Sequence, residues 1–237
     1  MKKLILIFTI FLACSENSSQ NFTSKLNIYC ILDPKARFQL VVVDRTYSEE
    51  EAVLDSGLTG ATVKMIKNND TLLFHPSDTT NGFYENTDTS WFTAGETYTL
   101  TVEYEGKKYT STSCIPDSFH ILSHKDYDTV SLSSPETLIW SLSRNAYKQT
   151  YAIMPWIMND TIFNFNLVSL DTFASIFNYA PLFPITDTCY IVKVECADSN
   201  LYQLWRGRYN TYFTSDSSAY GLFGARYQDS VIIYIKE

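Results

Sequence analysis

Residues 94–116 read AGETYTLTVEYEGKKYTSTSCIP, two alternating runs joined by a turn. Tyr98, Leu100, Val102 and Tyr104 alternate with Thr99, Thr101 and Glu103, the period-2 pattern of a strand with one buried and one wet face. Glu105-Gly106-Lys107 has the composition of a hairpin turn, Lys108 to Cys114 forms the returning strand, and Pro116 closes the unit. Upstream the same punctuation repeats. Residues 37–46 (RFQLVVVDRT) hold the apolar run Leu40 to Val43, residues 61–67 resume strand patterning, Asn68-Asn69-Asp70 turns into 71–75, and 82–86 is another short strand. About seven short strands punctuated by turns predict a small β-sandwich.

The second half follows a polar junction at 117–134. Leu138, Trp140 and Leu142 face one way, Tyr151 and Ile153 continue on a second strand, and Tyr190, Val192, Val194 and Cys196 share a face opposite Ile191, Lys193 and Glu195. Residues 231–235 give the last strand. Two helical insertions are expected. One is at 171–179, with Phe173, Ile176 and Phe177 on one side; the other follows the capping residues Asp198, Ser199 and Asn200, with Leu201, Leu204, Trp205 and Arg208 at helical spacing. The predicted fold class is all-β, two Ig-like β-sandwich domains spanning 26–118 and 119–237, with short helical insertions in the second.

The first residues address export. Lys2 and Lys3 precede an uncharged apolar run, Leu4 to Ala13, which ends at Cys14. That run is half of the roughly 20 residues a membrane-spanning helix needs, so a signal peptide at 1–13 fits better than a permanent span. Ala13-Cys14 resembles a bacterial lipobox, in which the cysteine takes the lipid and becomes the mature N-terminus; a plain leader followed by an incidental thiol is the alternative. Residues 14–25 are small and polar, suited to a flexible tether. Removing the two leader lysines from 18 basic residues leaves 16 against 26 acidic ones, a formal charge of −10. Nucleic acid, bound chiefly through surplus Lys and Arg, is excluded as a partner.

Three further resemblances have structural content. GATVKMI, GFYENTD and the hairpin at 94–116 resemble the transthyretin-like and carboxypeptidase-regulatory-like sandwich. Trp140, Tyr151, 190–198 and 221–235 resemble a fibronectin type III sandwich, with the long segment 160–189 as a departure. The order of parts, from lipobox to the closing GLFGARYQDSVIIYI, resembles the bacterial lipoproteins grouped as domain of unknown function 4249. That likeness implies an outer-membrane, lipid-anchored protein, often beside a TonB-dependent transporter, at the cell surface or on the periplasmic face.

Candidate sites are few. His120, His124, Asp126 and Asp128 stand at even intervals, so an extended segment would project them together toward a metal, although a polar interdomain junction explains them as well. Glu49, Glu50, Glu51 and Asp55 lack the spacing of a calcium loop. Cys30 and Cys114, in the first and last strands of the first half, are either bridged or two free thiols. No P-loop, GxGxxG, GxSxG or HExxH is present, and neither a cofactor nor a metal nor catalytic residues are expected. Leu201, Leu204 and Trp205 are expected chiefly to pack the second helix on the sheet, while Arg206, Arg208, Tyr209, Tyr212 and Phe213 gather cations and aromatic rings in one insertion of an acidic chain, the composition of a binding hot spot; Trp205, Arg206, Arg208, Tyr209 and Tyr212 are the candidate binding residues. The expected function is a non-catalytic binding or accessory module with an envelope protein as partner. An exported hydrolase of glycan or peptide is the alternative, and a structural spacer a third reading.

Overall fold

The structure, a computed structural model, describes residues 23–47, 57–134, 136–157, 167–175, 177, 183–207, 213 and 218–237. Seven strands build the first half: β1 (Leu26–Leu32), β2 (Gln39–Arg45), β3 (Thr62–Lys67), β4 (Asp70–Pro76), β5 (Phe83–Asn86), β6 (Thr97–Tyr104) and β7 (Lys107–Cys114). The second half adds β8 (Asp128–Ser131), β9 (Leu138–Ile139), β10 (Tyr151–Ile157), β11 (Leu167–Ser169), β12 (Phe173–Ala174) and β13 (Thr188–Ala197). The helix α1 (Ser199–Trp205) and the long β14 (Ala219–Lys236) complete the described elements. The architecture is all-β and Ig-like, as the sequence predicts.

Local chemistry explains the tight turns. Glu105 and Gly106 both take positive φ (49° and 74°), as do Asn68 and Asn69 (49° and 74°). Two consecutive left-handed residues are what a two-residue I′ hairpin requires, and Asn and Gly adopt that conformation most readily. The β6–β7 hairpin pairs Tyr98 with Ser113 and Val102 with Tyr109, and places Tyr98, Leu100 and Val102 in the core. Burying a side chain of this size contributes on the order of 1.5–3 kcal/mol. Four buried tyrosines also pin loops through their hydroxyls. Tyr84 donates to the Leu58 carbonyl at 3.0 Å, Tyr98 accepts from the Thr93 amide at 2.6 Å, Tyr151 accepts from the Ser143 amide at 2.9 Å, and Tyr190 donates to the Ile185 carbonyl at 2.9 Å.

β14 joins the two halves. Its first residues, from Ala219 to Ala225, run parallel to β1, and its later ones pair antiparallel with β13 and parallel with β8. The strand order is β11-β10-β13-β14-β1-β2-β5-β4-β3-β6-β7, with β8 on the far part of β14 and β9–β12 as a separate pair. Ala219, Phe223 and Ala225 of β14 therefore belong to the core of the first half, which Phe213 joins from ahead of the strand, while Tyr227, Val231, Ile233 and Ile235 belong to that of the second. Division at residue 118 assigns all of 119–237 to one sandwich, whereas the strand is shared by both. Gly221 makes the parallel pairing possible. Its φ is +128°, and a Cβ there would collide with the Ile28 carbonyl oxygen.

One expectation is corrected, and one of two open alternatives is found. Phe173 and Ala174 form β12 rather than a helix, because Ile139 and Leu138 offer them a strand to pair with; Ile176 and the residues after Phe177 in that segment lie outside the described ones. Cys30 and Cys114 are free thiols. Cys30 points into the core with Ile28 and Leu32, whereas Cys114 alternates with buried Ser113 and takes the outward face of β7, so the two side chains point into different surroundings.

Candidate binding cleft beside Trp205

The outer face of the second sheet has a dip at Ala152. Val168, Ala152, Glu195 and Gln228 lie in one row across β11, β10, β13 and β14, with Met154 in the next row beside Lys193. Alternation sends Tyr151 and Ile153 into the core and leaves Ala152 and Met154 on this outer face. Between Val168 and Glu195 the single methyl of Ala152 leaves space. Trp205 completes a cleft of about 230 Å³ lined by Ala152, Met154, Val168, Glu195 and Trp205.

α1 positions Trp205. Asp198 caps the helix, its Oδ1 accepting from the Leu201 amide at 2.8 Å, and its Oδ2 accepts from the Ser113 hydroxyl at 2.7 Å. The Asn200 amide donates to the Phe223 carbonyl at 2.7 Å and to the Thr112 carbonyl at 3.2 Å. Gly224 lets the helix approach, since a Cβ there would stand 2.9 Å from the Leu201 Cβ. Leu201 is buried against Ala197 and Leu222, with Leu204 and Trp205 packed around them. The cap residues and the helix match the sequence expectation; Trp205 is both a packing residue and a cleft wall.

The Glu195 carboxylate of the cleft lining is bonded by Arg226, which also bonds Asp33. Arg226 donates through Nε to Asp33 Oδ2 at 3.0 Å and through Nη1 to Glu195 Oε2 at 3.1 Å. Gln228 Nε2 adds a bond to Asp33 Oδ2 at 3.0 Å. Both carboxylates are nearly inaccessible, their side chains 4% and 5% exposed, and the guanidinium is 35% exposed. Burial pushes the Glu195 carboxyl above its ordinary pKa; Arg226 pulls it back and Asp33 pushes it further up. Asp33 follows directly on β1, so this cluster also ties the first half to the second.

The remaining predicted residues are placed as follows. Arg206 is exposed just beyond α1, while Arg208, Tyr209, Tyr212 and Cys14 lie outside the described residues. The four candidate metal ligands are not brought together. His120 is exposed with Nδ1 3.8 Å from Asp229 Oδ2, whereas His124 is buried with Nδ1 2.6 Å from the Ser123 hydroxyl. His124 Nε2 is 3.4 Å from Glu136 Oε2, within ion-pair range but without hydrogen-bond geometry. Asp126 accepts from the Ile232 amide and Asp128 from the Lys125 amide. Tyr127, at φ 69°, breaks the extended run that even spacing assumed. Among the described residues no group of three His, Cys, Asp or Glu side chains is placed to hold a metal, and no helix is long and apolar enough to cross a membrane.

Sequence reasoning missed Glu195, Ala152, Met154 and Val168. The alternation of 190–196 put Glu195 on the outward side correctly, but nothing local signals that Arg226 would bond it together with Asp33.

No curated protein matches the chain. Among solved structures it is similar to the chicken CNTN1 FN1-FN3 domains at 13% identity, over 90% of this chain and 66% of that one, with a TM-score of 0.32. It thus spans slightly under two thirds of that structure's length. It is also similar to Titin-A168169 at 10% identity, over 91% of this chain and 100% of that one, with a TM-score of 0.23. Residues 14–221 match the family described as domain of unknown function (DUF4249), and the chain belongs to that family.

Proposed function

We propose that the protein is a lipid-anchored lipoprotein of the bacterial outer membrane that works as a non-catalytic binding or accessory module, with an envelope protein such as a TonB-dependent transporter as its partner. The anchor reading is supported by the Lys2-Lys3 start, the apolar run to Ala13, Cys14 and the polar residues behind it. The observation that carries the binding reading is the cleft beside Trp205. An aromatic wall and apolar lining around one charged group are the makings of a recognition site. At about 230 Å³ it lies below the roughly 300–1,000 Å³ of pockets that enclose whole drug-sized ligands. It suits one side chain or a comparably small group. Glu195, the one carboxylate among the described residues of its lining, is bonded to Arg226, which does not favour the alternative of a hydrolase working with two facing carboxylates.

Two variants test the proposal. Cys14→Ser should lose the acyl mass from the mature N-terminus and leave the membrane fraction; an unmodified wild-type N-terminus ends the anchor reading. Trp205→Ala should lose the partner captured from detergent-solubilised envelope, and retention of that partner moves the binding surface elsewhere.

A further inference from the structure

Glu195 of the cleft lining belongs to a buried cluster, with Asp33 and Arg226 behind it, that carries more negative than positive charge. Asp33 and Glu195 are both buried, and the single guanidinium of Arg226 serves them both. Lys193, one row away, holds its ammonium 4.4 Å from the centre of the Trp156 ring. Among the described residues Arg226 is the cation bonded to both carboxylates, with Lys193 acting on Glu195 from farther off; a buried carboxylate that shares its bonded cation is costly, and a further cation arriving in the cleft relieves that cost. The walls suit such a guest. Ala152, Met154 and Val168 offer apolar contact to an alkyl stem, Met with a polarisable sulfur, and the indole of Trp205 is the aromatic ring that attracts cations best. Burial also raises the Glu195 pKa, the direction expected of a carboxyl with incomplete compensation.

Resting on the binding reading above, we propose that the cleft holds an organic monocation, a primary ammonium or guanidinium on an alkyl stem, of the kind a lysine or arginine side chain or a free alkylamine presents. Glu195 accepts from the cationic head, Trp205 covers it, and Met154 with Val168 lines the stem.

The test uses the mature chain with methionine methyl groups labelled with carbon-13, the Met154 signal being assigned by its loss in Met154→Leu. n-Butylammonium and n-butylguanidinium should shift that signal saturably and bind about tenfold or more tightly than the neutral isostere n-butanol. Glu195→Gln should remove the discrimination. Ala152→Leu, which fills the dip without touching a charge, should remove binding of all three probes at unchanged melting temperature. A capped Gly-Lys-Gly peptide that binds more tightly than butylammonium assigns the cation to a polypeptide; the reverse order assigns it to a free amine. Equal binding of butanol and butylammonium, discrimination that persists in Glu195→Gln, or absence of any shift overturns the assignment. The anchored binding role is judged separately, by the Cys14 and Trp205 variants.

Discussion

Replacing Arg226 by Met removes the guanidinium that bridges Asp33 and Glu195 while keeping a long apolar stem. Both carboxylates are about 95% buried, so the substitution strands buried charge, and breaking such pairs costs about 3–5 kcal/mol. The guanidinium is itself 35% exposed, so part of its attraction is screened by water. The lower end, about 3 kcal/mol, is therefore expected. For a chain of this size that corresponds to a fall in Tm of roughly 6–12 °C. The pH dependence identifies the cause. Glu195 has its folded pKa raised above the ordinary 4.5, so its contribution to stability is fully present below that value and is lost as pH rises through the folded pKa. Arg226 lowers the folded pKa, and its removal raises it further. The deficit of Arg226→Met should accordingly be largest at neutral pH and shrink as pH falls toward 4.5. Urea unfolding followed by circular dichroism at pH 7 and pH 5 measures both points, and adding Glu195→Gln to Arg226→Met should restore part of the loss at pH 7. An unchanged midpoint at pH 7, or the same deficit at both pH values, would refute the buried-charge reasoning.

Gly221→Ala should destabilise by about 2 kcal/mol or more in the same assay, through a positive φ of 128° and a collision with the Ile28 carbonyl; a change under about 0.5 kcal/mol would mean that β1 and β14 do not pair as described. Asp198→Ala should cost about 1–2 kcal/mol by uncapping α1 and releasing Ser113, and an unaltered urea midpoint would discount the cap. Under native conditions iodoacetamide should modify Cys114 and Cys189, which are partly exposed, before Cys30 and Cys196, which are buried. Burial raises both buried thiols, Cys196 to about 12. Peptide mapping that finds Cys30 labelled first, or disulfide-linked to Cys114, contradicts the packing.

The hairpin of β6 and β7 was legible because turn chemistry and alternation coincide in one short stretch. The Asp198 cap made α1 legible for the same reason. β14 was only half legible. Its alternation marks a strand, but period 2 does not say which neighbours a strand has, and the parallel register with β1 depends on residues nearly two hundred positions away. Phe173 shows tertiary pairing overriding local periodicity, since the strand at Ile139 was available to it. The place of Trp205 on α1, packed beside Leu201 and Leu204, was legible from helical spacing. Glu195 was not, because Arg226 ties it to Asp33 across separations of 31 and 193 residues.

Site-specific photo-crosslinking in the intact envelope tests the central claim most directly. A benzophenone side chain introduced in place of Val168, 56% exposed at the cleft rim, is irradiated beside a control at the exposed Thr110 on β7. A discrete crosslinked species is expected from position 168 that is absent from position 110 and disappears when Trp205→Ala is added. No adduct from position 168, or the same adducts from both positions, would contradict it.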